Sequence, residues 1–106
     1  MPNGYAKRTD ANHAAFRDEI KAVLPEATLL DLSGAGQGCP DFALGILLGG
    51  RKQNFFLELK DPEKPESKRS LTTAQQKLHK SWQGQMDVVH SAAEAVAVIL
   101  RNQYTK

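Results

Sequence analysis

Asn54-Phe55-Phe56-Leu57-Glu58-Leu59-Lys60 is the stretch on which the fold turns. Side chains alternate across a strand, so Phe55, Leu57 and Leu59 share one face and Phe56, Glu58 and Lys60 the other. The first face is apolar and suits a core. The second sets a carboxylate and an ammonium two positions apart beside an aromatic ring. A central strand seldom carries two charges on one face, because an unpaired buried charge is costly. The competing reading is a strand end emerging into solvent.

Upstream, Gly49-Gly50 is a turn between two strand-like runs, residues 41–48 and 54–60. Pairing across that turn carries Asp41, 17 positions before Glu58, toward Glu58 near the outer ends of the two strands. Pro40 favours an extended Cys39 and opens the strand. Two carboxylates at one point suit Mg2+ or Mn2+, hard ions that take oxygen ligands and phosphate. Such an ion activates water against a phosphodiester, and Lys60 is placed to hold that water and offset developing negative charge.

The rest of the chain frames this hairpin. Residues 1–9 read as a flexible tail and 10–106 as one domain. Residues 11–24 form an amphipathic helix capped by Asp10 or Asn12, with Phe16, Ile20, Val23 and Leu24 inward and Pro25 as its end. Residues 27–32 are a strand, 33–38 a glycine-rich loop and 61–70 an exposed loop. A second helix over 72–83 turns Leu71, Leu78 and Trp82 inward and stops at Gly84. Residues 86–90 are a fourth strand. Ser91-Ala92-Ala93-Glu94 is a capping box opening a last helix through Ala95, Val96, Ile99 and Leu100. The order is α-β-β-β-α-β-α, an α/β class.

Gln75 lies on the inward stripe Leu71-Gln75-Leu78-Trp82. It can reach a site at the sheet edge, or return to the Thr72 amide as a capping box; spacing alone leaves these equal.

Composition narrows the function. The 106 residues are 41% hydrophobic, enough for one modest core. No apolar run approaches a membrane span, and the polar N-terminus lacks the apolar stretch of a signal peptide. The single cysteine, Cys39, rules out an internal disulfide and suits a reducing, cytoplasmic setting. Net charge is only +2, yet residues 51–80 hold eight basic against four acidic side chains. That local excess suits phosphate, although a solvated, salt-bridged surface explains it equally well. Gly34-Ala35-Gly36-Gln37-Gly38 lacks the lysine and the following helix of a nucleotide loop, so no organic cofactor is expected. Cys39 lacks a local nucleophile signature, and His13, His79 and His90 lack zinc spacing.

The ordered set Pro40-Asp41, Glu58-Leu59-Lys60 and Leu71-Thr72-x-x-Gln75 resembles the PD-(D/E)XK nuclease superfamily. The flanks Gly38-Cys39-Pro40-Asp41-Phe42, Phe56-Leu57-Glu58-Leu59-Lys60-Asp61, Trp82-Gln83-Gly84 and Val88-Val89-x-Ser91 are similar to small stand-alone VRR-NUC-type proteins, common in bacteriophages. The resemblance covers roughly residues 8–100. It implies a restriction-endonuclease-like αβββαβα core, with a central mixed four-stranded sheet flanked by helices. It implies a Mg2+- or Mn2+-dependent DNA endonuclease in the cytoplasm of a bacterium or phage-infected host. Asp41, Glu58 and the Leu59 backbone carbonyl would be metal ligands, and Lys60 and Gln75 would complete the catalytic set. Lys64, Lys68, Arg69 and Lys77 are the candidates for DNA contact. Relatives of this kind resemble Holliday-junction resolvases, which implies a homodimer acting on branched or four-way junction DNA.

One departure stands out. The resemblance leads one to look for a first-helix acid in a D-x-N-x-x-E pattern, and Asp10-Ala11-Asn12-His13-Ala14-Ala15 puts Ala15 there. Glu19, one turn on, is the candidate replacement. Without a replacement, the alternative is a catalytically weak or inactive nuclease-fold DNA-binding module.

Overall fold

The computed structural model describes residues 4–61 and 71–101, with side chains from residue 12 onward. Helix α1 (Gly4–Val23) precedes strands β1 (Thr28–Asp31), β2 (Phe42–Leu48) and β3 (Arg51–Leu59). Helix α2 (Thr73–Ser81), strand β4 (Met86–Val89) and helix α3 (Ala92–Arg101) follow. The described residues therefore form an α/β fold on one mixed sheet of order β1-β2-β3-β4. β1 and β2, and β2 and β3, pair antiparallel, whereas β3 and β4 pair parallel across the segment that contains α2. No described helix is long and apolar enough to cross a membrane.

The hairpin is set by its turn. Gly49 and Gly50 both take positive φ, 58° and 79°, as a two-residue turn matching the twist of its strands requires. Leu48 then pairs with Arg51 and Phe42 with Leu57. β3 is consequently longer than expected, starting at Arg51: pairing continues to the turn although Arg51, Lys52 and Gln53 are polar.

That register sends Phe42, Leu44 and Leu48 to the same face as Phe55, Leu57 and Leu59, all buried. Phe16 and Ile20 of α1 and Ala92, Ala95 and Ile99 of α3 close over them. Phe16 stacks on Phe42 with ring centroids 5.2 Å apart. On the opposite face α2 meets the sheet through Gln75 at Glu58, and Trp82, just past the helix, lies edge-on to Phe56 at 5.2 Å.

Several boundaries differ from the sequence reading. α1 begins at Gly4, not near residue 10, because nothing from Tyr5 to Val23 is a proline or glycine and Ala6, Lys7 and Arg8 favour helix. Asp10 and Asn12 therefore lie inside the helix instead of capping it. Val23, expected inward, is 59% exposed, since the inward stripe runs His13, Phe16, Ile20. At its C-terminal end the Lys21 ammonium donates to the Ala27 carbonyl at 2.6 Å and the Pro25 carbonyl at 3.2 Å.

α2 ends at Ser81, before Gly84, as Trp82 turns extended and its N–H closes on the Leu78 carbonyl. That turn leaves Trp82 43% exposed, against the expectation of a core residue. At α3, Ser91 caps the Glu94 amide, but the Glu94 carboxylate accepts from the His90 amide one residue earlier. The expected loop over 61–70 lies outside the described residues beyond Asp61.

The glycine-rich loop has a structural duty. Gly38 sits at φ 80°, and a Cβ there would lie 2.7 Å from the carbonyl carbon and oxygen of Ala74 in the first turn of α2. The loop bearing Asp41 is thus laid directly on the helix bearing Gln75. We predict that Gly38→Ala destabilises the fold by about 1–3 kcal/mol, read as a lower denaturant midpoint at unchanged slope. An unchanged midpoint would mean that loop and helix are not in contact.

Candidate functional site

The register of β2 on β3 places Asp41, one residue before Phe42, across from Glu58. The Leu59 N–H donates to Asp41 Oδ2 at 2.9 Å, fixing the Asp41 carboxylate on the end of β3. The Asp41 carbonyl in turn accepts from Leu32 at 2.7 Å, tying the loop to β1. Asp41 and Glu58, expected from spacing to converge, are brought together.

Glu58 is 2% exposed, so the solvent-emergent strand end does not apply. Its Oε2 accepts from Gln75 Nε2 at 2.9 Å and lies 3.5 Å from the Lys60 ammonium. Its Oε1 is buried with no hydrogen-bond partner among the described residues. Lys60 follows the strand end, with its amide donating to the Val89 carbonyl, and its side chain is mostly buried beside Glu58.

Gln75 resolves the two readings that spacing left equal by fulfilling both. Its Oε1 accepts from the Thr72 N–H at 2.9 Å while its own N–H donates to Thr72 Oγ1 at 3.2 Å. With Oε1 engaged in that capping box, the amide Nε2 is aimed at Glu58. The cap is the device that orients the site contact.

Electrostatics follow from burial. Loss of hydration, reinforced by the Asp41 carboxylate, pushes Glu58 up to about 7, with Lys60 pulling the other way. Burial also raises Asp41, opposed by the Leu59 N–H, His13 and Lys60. Two carboxylates both held above their ordinary range beside one ammonium form a site short of positive charge.

His13 was passed over in the sequence for want of zinc spacing, yet it belongs here. It is 6% exposed, and its Nε2 stands 3.7 Å from Asp41 Oδ1. Its Nδ1 is buried without a hydrogen-bond partner among the described residues. Spacing signalled only its burial: His13 opens the stripe completed by Phe16 and Ile20 at helical spacing. Glu19 is exposed and off that stripe, so the structure does not carry it to Asp41 and Glu58. Helical rotation accounts for this, since Glu19 stands about 120° around α1 from His13. Ala15 is also exposed. Among the described residues no group of three or more His, Cys, Asp or Glu has a ready-made metal-holding arrangement. Lys77 is exposed on α2, whereas Lys64, Lys68 and Arg69 lie outside the described residues.

The donor chemistry fits a hard divalent cation. Glu58 Oε1 has no hydrogen-bond donor among the described residues, Asp41 Oδ1 has a long contact to His13, and the two carboxyls, close enough to share a proton, are made reluctant to ionise together by burial. No protein-family model, curated protein or solved structure matches the chain.

The shift at Glu58 has a definite sign. Its value in the folded chain lies above the 4.5 of a free glutamate, so the ionised form is penalised on folding. Stability is full below about pH 4.5 and falls as pH rises to about 7, by on the order of 3 kcal/mol. Chemical denaturation across that window should show the loss, and Glu58→Gln should flatten it. A wild-type midpoint constant from pH 4.5 to 7.5 would contradict the burial of this charge.

Proposed function

We propose that this protein is a Mg2+- or Mn2+-dependent endonuclease that hydrolyses DNA phosphodiester bonds, on a PD-(D/E)XK-type core. The observation that carries the reading is the buried Glu58 carboxylate, facing Asp41 and flanked by Lys60, with one oxygen that meets no hydrogen-bond donor among the described residues. The motif order and the mixed four-stranded sheet support it. Asp41 and Glu58 hold the ion, and the Leu59 carbonyl is the third ligand that the resemblance adds. The bound ion supplies Lewis acidity toward a phosphoryl oxygen and a water of lowered pKa.

The chain's own residues do the remaining work. Lys60, 3.5 Å from Glu58 Oε2, holds the attacking water and offsets charge that builds on the phosphate. Gln75 keeps the Glu58 carboxylate in one orientation, so that no reorganisation is needed when phosphate arrives. Lys77 contacts the DNA backbone, together with Lys64, Lys68 and Arg69. A homodimer would present two such sites to two strands of branched DNA in the cytoplasm.

The exposure of Glu19 favours one second reading, a DNA-binding module of weak or absent catalysis, because Glu19 does not take the place of the first-helix acid at the site.

The test is cleavage of linear, flapped and four-way DNA in Mg2+, Mn2+ or EDTA. The endonuclease reading predicts cutting with metal, none in EDTA, and a loss of at least about 100-fold in Asp41→Ala and in Lys60→Ala. Salt-sensitive DNA binding without cutting in any divalent ion would select the binding module. Metal-dependent cutting unchanged in both variants would overturn the site assignment.

A further inference from the structure

We propose that the open sheet face beside Glu58 binds an unpaired DNA strand, with Trp82 as the platform on which one base stacks. The inference rests on the DNA-acting reading above and deepens it by naming the form of DNA next to the site. Trp82 is 43% exposed, yet its indole is held in place. It meets Phe56 edge-on at 5.2 Å. A Cβ on Gly84 would lie 2.9 Å from the indole Nε1, so the ring rests against a residue whose missing side chain makes room for it. The chain just beyond is pinned to β3. The Phe56 N–H donates to the Gln85 carbonyl at 3.0 Å, and Gln85 Nε2 donates to the Asn54 carbonyl at 2.8 Å. A ring fixed on a rigid strand, with much of its surface still open, is a preorganised stacking surface.

Its position ties it to the site. Alternation puts Lys52, Asn54, Phe56 and Glu58 on one face of β3. Phe56 and Glu58 are about 7 Å apart along the strand, which is roughly two nucleotides of a stacked strand at ~3.4 Å each. A base on Trp82 therefore belongs to a nucleotide within a few positions of the phosphate at Glu58 and Lys60.

The same face continues away from the site with the chemistry of a nucleotide strand. Leu30 and Ala43 lie in register across from Phe56, and Leu30 is 61% exposed. Beyond them a shallow groove of about 290 Å³ is lined by Gly45, Leu47, Asn54 and the exposed Lys52, with Glu26 also on its wall. Apolar and aromatic surface suits bases, and Lys52 suits phosphate. A lysine and an asparagine interrupt the apolar surface, which fits alternating base and phosphate better than a wholly apolar partner. Bases inside a duplex are already stacked on one another, so only an unpaired nucleotide can use the indole.

Trp82 is the only tryptophan of the chain, so its fluorescence reports on this face alone. Single-stranded and duplex oligonucleotides, labelled for anisotropy, are titrated in EDTA into wild type, Trp82→Ala and Trp82→Phe. We expect the single strand to quench the tryptophan emission as it binds and the duplex to leave it nearly unchanged. Trp82→Ala should weaken single-strand binding by about 5- to 100-fold, with Trp82→Phe restoring most of it and duplex affinity changed less than about threefold. The wild-type quench needs no variant, so it decides the matter even if Trp82→Ala folds poorly. Single-strand binding without quenching, no single-strand binding at all, or an emission that shifts with protein concentration and not with DNA (a second copy on this face) overturns the proposal. Metal-dependent cutting that Asp41→Ala abolishes, with no quench, overturns it and leaves the nuclease site standing. Quenching by the single strand with no cutting in any divalent ion supports it and removes the endonuclease reading instead.

Discussion

The burial of Glu58 opposite Asp41 is the constraint on which this structure is arranged. A carboxylate removed from water needs compensation, and every neighbouring element supplies part of it. β3 brings Lys60, α2 brings Gln75, and α1 brings His13 to the Asp41 side. One oxygen, Glu58 Oε1, remains without a partner among the described residues. The Asp41 and Glu58 carboxyls lie close enough to share a proton, so what the described residues leave uncompensated is the doubly ionised pair.

The apolar framework explains why the carboxylates cannot move apart. Phe42 and Leu57 are paired across the hairpin and buried at the centre of the core, and the two acids are their immediate neighbours in sequence. A one-residue slip would turn the core face of β3 to the opposite side of the sheet. The glycine turn at 49–50 fixes that register from one end. The Leu59 N–H bond to Asp41 fixes it from the other. Gly38 then lets the loop before Asp41 lie on the backbone of α2, so that sheet and helix meet at one place.

Much of this was legible from residue order. Alternation in residues 54–60 gave the two faces of β3, and the Gly-Gly turn gave the hairpin and hence the meeting of Asp41 with Glu58. What spacing could not decide was settled by three-dimensional contact. Gln75 is both cap and site residue because one amide has two ends. Trp82 is half in solvent because the chain turns extended there, which no periodicity announces. His13 was illegible as a site residue because a histidine on an apolar stripe reads as core until its partner, 28 positions away at Asp41, is in place. Glu19 failed because, about 9 Å along the helix from His13 and about 120° around it, it faces solvent.

Proton release on metal binding tests the central claim most directly. Titration of Mn2+ at pH 6.5, in buffers of different ionisation heat, counts the protons displaced per ion. A carboxylate pair whose Glu58 is pushed up to about 7 must give up most of one proton as the ion enters, and little by pH 8.5. Release of that size, lost in Glu58→Gln, is the predicted result. Binding that releases no proton at either pH, or no binding at all, would contradict the account.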